Sequence, residues 1–419
     1  MNQQMVLSRW SELAPELLDF ISKKLTNYVD YVRVRAVCPS WRSNLPKKPF
    51  HLLTQLPWLL LPQFNTNTIS ETYCSFFNLV DNKTYRLELP EVLGKGKKCW
   101  GSPHGWLVVL REEGPSFSLL NPLTRAQIHL PSLYLSPSTS PIGNIVLPWD
   151  YVGYLRNCCV VKAVLFANPS ESTDFVVMVI LEEGPCGLAF YKSGTVAWIL
   201  ITDTEDIIFQ DIVCFKGQFY AADSKGNVYI CNIGASPNVV KVADPSGGLP
   251  CDEPQQRYLV ESGKELLMLY RYQLPKTPYD LTYYFTLSKL DLSEAKWSRV
   301  VDLGDKGLFL GTNCSYSVSV REYRSCIENS VYFTDDMRHR LPGFGDCRGL
   351  YPYVTAQFLG VFNVFEDGYF RFMNGRVRGY DFGVFSIDKG ITDPLPCPIP
   401  NPNDIRCILP PPVWVTLSP

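Results

Sequence analysis

Apolar positions follow two different rhythms in this chain, a helical one over residues 10–45 and a short, broken one from residue 58 onward. Leu13, Leu17, Ile21 and Leu25 recur every fourth residue with Leu18 alongside, which predicts a helix carrying one continuous apolar face. Pro15 suits its first turn, because its fixed φ fits a helix start and its missing N–H removes a donor without an intrahelical partner. A second apolar set, Val29, Val32, Val34 and Val37, follows Thr26 and Asn27, either of which can cap a new helix, with Asp30 near the positive end. Cys38, Pro39 and Trp41 open a third, very short one. Isolated helices below roughly 12 to 15 residues are marginal in water, so these three must be held by each other and by a partner.

Beyond residue 58 the pattern becomes short runs of β-branched and aromatic residues broken by Gly, Asn, Asp and Pro, an all-β signature. The runs fall into groups of up to four that begin at 98, 158, 207, 257 and 309, close to the ~50-residue period of a kelch-type blade. The fifth group is stretched and must contain an insertion, at about 337–380. At the start, residues 58–61, 73–80 and 84–89 supply only three strands, and residues 412–417 supply one more. Pairing these two ends would close the circle and remove two exposed edges. The expected fold is a small all-α module followed by an all-β propeller of about six four-stranded blades. The count becomes seven if a hairpin within the insertion forms its own blade, and the alternative is a pair of β-sandwiches if the repeat is accidental. The expected organisation is helices over 8–46, a connector over 47–57 and the propeller over 58–417.

Composition narrows the function classes. Hydrophobic residues make up 46% and charged residues 19% of 419, so the chain can build a large core. A net charge of -2 gives no basic footprint for nucleic acid. Lys95, Lys97 and Lys98, the densest basic cluster, read as a solvated loop. The first residues lack a signal-peptide pattern and no apolar run approaches the ~20 residues of a membrane span, so an intracellular protein is expected, nuclear, cytoplasmic or both. The cysteines include no C-x-x-C pair and the four histidines are scattered, so neither a metal nor another cofactor is expected.

The run Leu13-Ala14-Pro15-Glu16-Leu17-Leu18, with Val37-Cys38-Pro39-Ser40-Trp41-Arg42 some twenty residues later, resembles the F-box. The resemblance implies three helices that dock a Skp-type adaptor and, through it, a cullin. On that correspondence Leu13, Pro15, Leu17, Ile21, Leu25, Val34, Val37, Cys38 and Trp41 lie at or directly beneath the adaptor surface. Ala14 departs from the second proline frequent in plant members. Further along, Gly101-Ser102-Pro103-His104-Gly105-Trp106, Leu119-Leu120-Asn121-Pro122-Leu123-Thr124-Arg125, the run 216–223 and Leu310-Gly311-Thr312-Asn313 resemble, as an ordered set, the kelch-like C-terminal domain of a plant F-box family. That resemblance implies a substrate receptor of an SCF-type ubiquitin ligase with a protein client.

No catalytic signature accompanies it: there is no G-x-S-x-G, Walker loop or H-E-x-x-H, and Gly94–Lys98 lacks the spacing of a phosphate loop. Acid pairs of the kind a glycosidase needs occur at Asp335 with Asp336, Asp203 with Asp206, and Glu366 with Asp367, and read better as turn acids. The chain is therefore not expected to be an enzyme; an enzyme in the propeller bore and an adaptor-binding scaffold without a degradation client are the alternatives. The insertion is rich in aromatics and arginine, the composition of interface hot spots, and Arg340, Phe344, Arg348, Tyr351 and Tyr353 are its candidate client contacts. The plainer reading of that segment is a cover for a blade edge.

Overall fold

The structure is a computed structural model that describes residues 9–26, 28–47, 49–52, 56–61, 72–93, 98–111, 116–133, 160–181, 187–201, 204, 207–247, 254–274, 281–336, 381–396 and 412–417. A 3-10 turn (Arg9–Glu12) leads into three short helices, α1 (Pro15–Ser22), α2 (Tyr28–Arg35) and α3 (Pro39–Asn44). Proline occupies the first turn of α1 and of α3, where no intrahelical donor is lost.

Strands follow in chain order. They are β1 (Trp58–Leu60), β2 (Tyr73–Asn78), β3 (Lys83–Glu88), β4 (Lys98–Gly101), β5 (Leu107–Leu110), β6 (Ser116–Leu120) and β7 (Gln127–Ser132). Next come β8 (Val160–Phe166), β9 (Val176–Leu181), β10 (Gly187–Lys192), β11 (Ile199–Ile201), β12 (Phe209–Phe215), β13 (Gln218–Asp223), β14 (Val228–Asn232) and β15 (Asn238–Ala243). The last set is β16 (Gln256–Ser262), β17 (Glu265–Leu274), β18 (Leu281–Asp291), β19 (Lys296–Val300), β20 (Lys306–Leu310), β21 (Tyr316–Ser319), β22 (Ser330–Phe333), β23 (Gly383–Ser386), β24 (Ile391–Pro394) and β25 (Val413–Val415). Strands β4, β8, β12, β16 and β20 start within three residues of the positions at which the sequence groups begin.

Strands β4–β7, β8–β11 and β12–β15 each form one four-stranded antiparallel sheet, and a fourth has the order β25-β1-β2-β3. The remaining strands lie in one nine-stranded sheet, in which β21 joins β16–β19 to the run β20-β22-β23-β24. Central strands such as β5 and β9 are buried at every position, because each sheet is covered on both faces. The outer strand β15 is mostly exposed.

Apolar clusters cement neighbouring sheets in succession. Phe76 and Trp58 meet Leu107 and Val109; Trp100 and Val108 meet Val177 and Ala189; Met178 and Phe190 meet Ile212 and Phe219. Phe215 and Tyr220 then meet Leu259 and Met268, and Leu267 and Phe285 meet Leu308 and Phe333. Finally Phe309 and Tyr332 meet Phe77 and Trp414, which returns the succession to the sheet where it began. This closed stack of sheets is a β-propeller. Closure depends on β25 pairing with β1, Trp58 opposite Val415 and Leu60 opposite Val413. Gly101 permits it, since a Cβ there would stand 1.9 Å from the Trp414 carbonyl oxygen.

The inner strands also share a buried polar hub. The pairing register slips between Val160 and Lys162 and again between Phe209 and Asp211, the irregularity by which a strand re-aims a side chain. Lys162 and Asp211 form a fully buried ion pair. Asp211 also accepts N–H bonds from Leu259 and Ile212, each at 2.8 Å. Ser315 donates to Asp211, and Cys314 N–H donates to the Gly101 carbonyl at 3.1 Å, so the stretch before β21 ties several inner strands together.

Trp414 is fully buried, packs edge-on against Phe309 and donates its indole N–H to the Leu310 carbonyl. Trp414→Ala is expected to lower stability by about 3–5 kcal/mol in chemical denaturation. Ile391→Ala, on exposed β24, should change it by less than about 0.5 kcal/mol.

Candidate partner-docking site

The helical module has a very small core of its own: Leu18, Tyr31, Trp41 and Leu45, with Leu13, Leu25, Val34, Cys38 and Leu52 packed at its margin. Hydrogen bonds from side chains hold its loops. The Trp41 indole N–H donates to the Trp10 carbonyl at 2.7 Å, the Tyr31 hydroxyl donates to the Pro46 carbonyl at 2.7 Å, and Arg35 Nε donates to the Leu45 carbonyl. The Trp10 indole meets the Trp41 indole edge-on with 6.5 Å between ring centroids.

α1 turns Leu18 and Ser22 inward. That leaves Leu17, Phe20 and Ile21 on the outside, with Leu17 54% and Phe20 60% exposed. Val37, at the end of α2, is 57% exposed, and Trp10 and Pro15 are exposed beside α1. A soluble surface scatters exposed apolar side chains singly, whereas several of them on two turns of one helix mark a face that wants a partner. Charged groups near α1 are satisfied locally, as in the Lys23–Asp19 pair, and Lys24 lies over the Phe20 ring.

α2 is different. Tyr28, Val29, Tyr31, Val32 and Arg35 are all buried, so the helix is covered on more than one side. Tyr31 faces the helical core, while Val29 belongs to the cluster that contains Trp58, Phe76 and Leu107, against which Tyr85 also packs. Burial pushes the Tyr28 hydroxyl up to about 12 and the Tyr85 hydroxyl, which donates to Asp81, likewise to about 12. Both stay neutral at any physiological pH. The helical module thus meets the propeller core through Val29 of α2.

The structure separates the sequence-derived docking residues into two roles. Pro15, Leu17, Ile21 and Val37 are exposed; Leu13, Leu25, Val34 and Cys38 are half-buried against the module core; Trp41 is buried. Leu13 and Leu25 flank α1 rather than lie within it. Sequence reasoning missed Trp10 and Phe20. Phe20 stands three positions after Leu17 and so on the same side of the helix, a signal that the strict four-residue spacing passed over.

Of the acid pairs, Asp335 and Asp336 are described, and they are not solvated turn acids: Asp335 is buried, and the Asp336 side chain, 7% exposed, is bound to Arg271 at 2.8 Å. Burial wins here because a guanidinium is buried with the carboxylate. Asp203, Asp206, Glu366 and Asp367 lie outside the described residues, as do Lys95, Lys97 and the candidate client contacts Arg340, Phe344, Arg348, Tyr351 and Tyr353. Among the described residues no three His, Cys, Asp or Glu side chains gather where they could hold a metal ion, and no helix is long and apolar enough to cross a membrane.

Residues 76–363 match the KIB1-4 beta-propeller family. The chain is similar to F-box protein At4g35733 of Arabidopsis thaliana, 29% identical over 354 residues that cover 80% of this chain and 92% of that protein. It is also similar to the putative F-box/kelch-repeat protein At5g24040 of the same plant, 24% identical over 78% of this chain and 87% of that protein. F-box protein SKIP23, again from Arabidopsis thaliana, is 25% identical over 97% of this chain and 95% of its own length.

The division between core and surface is testable by stability alone. Trp41→Ala is expected to destabilise the helical module by roughly 3–5 kcal/mol. Leu17→Ala, on the open face, should stay within about 0.5 kcal/mol of the parent in the same denaturation measurement.

Proposed function

The chain belongs to the KIB1-4 beta-propeller family, in the company of plant F-box proteins, and from that premise we propose that it is the substrate-recognition subunit of an SCF-type (cullin-RING) ubiquitin ligase. The observation that carries the reading is the open apolar face of Leu17, Phe20 and Ile21 on a helix too short to stand alone, with Val37 exposed just past α2. This face docks a Skp-type adaptor and through it a cullin, with Pro15 at its edge and Leu13, Leu25, Val34, Cys38 and Trp41 supporting it from beneath. Residues 8–46 form the docking domain, 47–57 the connector and 58–417 the propeller. The propeller has six blades: two blades share the nine-stranded sheet through β21, which supports this count.

The propeller takes a protein client, with Arg340, Phe344, Arg348, Tyr351 and Tyr353 of the 337–380 segment among the contacts. The chain itself performs no chemistry. It acts by proximity, raising the effective concentration of client lysines at the ubiquitin-carrying subunits. The protein works inside the cell, where that machinery resides.

Co-purification with a Skp-type adaptor tests the docking half. Leu17→Asp with Ile21→Asp should weaken capture at least about 30-fold while the propeller melts normally, because each aspartate puts a charge into a dry apolar contact. Undiminished capture by that variant would sink the assignment of the face. Proteins bound to the intact chain should accumulate when the proteasome is inhibited, and should be lost when 337–380 is replaced by a short Gly-Asn turn. Adaptor capture without any such protein would replace the receptor with a scaffold.

A further inference from the structure

Arg271, on β17, is fully buried, and its guanidinium binds two chain segments distant in sequence as well as Tyr258 and Thr282 of the neighbouring strands. Nη1 donates to the Thr334 carbonyl at 2.9 Å, to Asp336 Oδ1 at 2.8 Å and to the Tyr258 hydroxyl at 2.8 Å. Nη2 donates to Asp381 Oδ2 at 2.8 Å and to the Asp381 carbonyl at 3.1 Å, and Nε donates to Thr282 Oγ1 at 2.6 Å. The Phe333 ring lies under the guanidinium, 4.8 Å from its carbon.

Two buried carboxylates face one guanidinium, and neutral donors satisfy the remaining charge. Tyr258 O–H donates to Asp336, while Gln273 Nε2, Thr282 N–H and Thr282 O–H donate to Asp381. The placement matters most. β22 and β23 pair up to Phe333 opposite Gly383, and the cluster sits immediately past that last pair. Asp336 and Asp381 are the residues on either side of the 337–380 segment.

We propose that Arg271 is a positioning residue: it pins the two propeller ends that flank the 337–380 segment, so that the pairing of β22 with β23 is secured independently of that segment. Without an anchor, bringing together the ends of a loop of about 40 residues costs conformational entropy that a four-residue turn does not, roughly a 30-fold difference in the closure equilibrium. The ion-pair cluster makes that closure permanent just beyond the strand pair.

The test compares the full chain with the charge-neutral variant Arg271→Met/Asp336→Asn/Asp381→Asn, each with its native 337–380 segment and with that segment replaced by a four-residue Gly-Asn turn. Removing all three charges together avoids stranding a buried carboxylate. The readout is native-state hydrogen exchange of the amides at 334–336 and 381–383, beside melting temperature. Anchoring predicts that the triple variant exchanges at these ends more than about 10-fold faster, with far smaller change in β9 and β13, and that the short turn restores most of the protection. Equal acceleration throughout the propeller, or no rescue by the turn, would make Arg271 an ordinary core residue and overturn the proposal. Should the triple variant fail to fold, Asp336→Asn alone frees the leading end, and unchanged exchange at 334–336 would be equally damaging.

Discussion

The antiparallel pairing of β25 with β1 is the constraint on which the rest of the molecule depends. Every sheet in the stack covers its apolar faces with the sheets on either side, so no sheet is complete until the last has met the first. A linear stack would leave two apolar faces and a row of unpaired backbone groups in water. Three residues, Val413, Trp414 and Val415, supply the missing strand, and Trp414 places its indole among Phe309 and Tyr332 of the neighbouring sheet. The Lys162–Asp211 hub secures the inner strands in a different way. Two bulges turn a lysine and an aspartate toward each other in a setting where neither could be buried alone, so the pair favours one arrangement of the inner strands over its competitors.

The helical module inverts this logic. Its core is too small to use all its apolar residues, and α1 keeps Leu18 for the inside while Leu17, Phe20 and Ile21 remain outside. A protein selected only for its own stability would put polar residues there. The exposed apolar residues of the propeller, such as Val196, Val301 and Ile327, are scattered along the chain, whereas those of α1 gather within two turns of one helix.

Much of this was legible in the sequence, for physical reasons. Strands such as β5 and β9 are continuous apolar runs bounded by turn residues, and their groups recur at a blade-like interval, so the sheets could be placed to within a few residues. The closing strand was readable because the first group lacked one member and the last residues supplied it. β21 was missed: Tyr316–Ser319 alternates apolar and polar, but over only four residues, too short a run to mark a strand without the partners that pair with it on both sides. The roles of Asp336 and Arg271 were hidden for a related reason. A buried ion pair between residues 65 positions apart leaves no local periodicity, and Asp335-Asp336 taken alone looks like a turn. On α1 the four-residue spacing found an apolar face, but spacing alone could not tell that Leu18 turns inward and Leu17 outward.

The burial of Val29 of α2 among Trp58, Phe76 and Leu107 has a consequence for reach. A flexible tether of n residues would spread the distance between its ends over roughly 5–6 Å × √n and let whatever it carries wander through that volume. Here Val29 of the helical module is buried in the core of the propeller, so the two parts meet at a fixed contact instead of over a distribution of spans. On the receptor reading proposed above, a bracket of that kind would select by position: groups on a bound protein that lie at its span would be offered again and again, and neighbours a nanometre away scarcely at all.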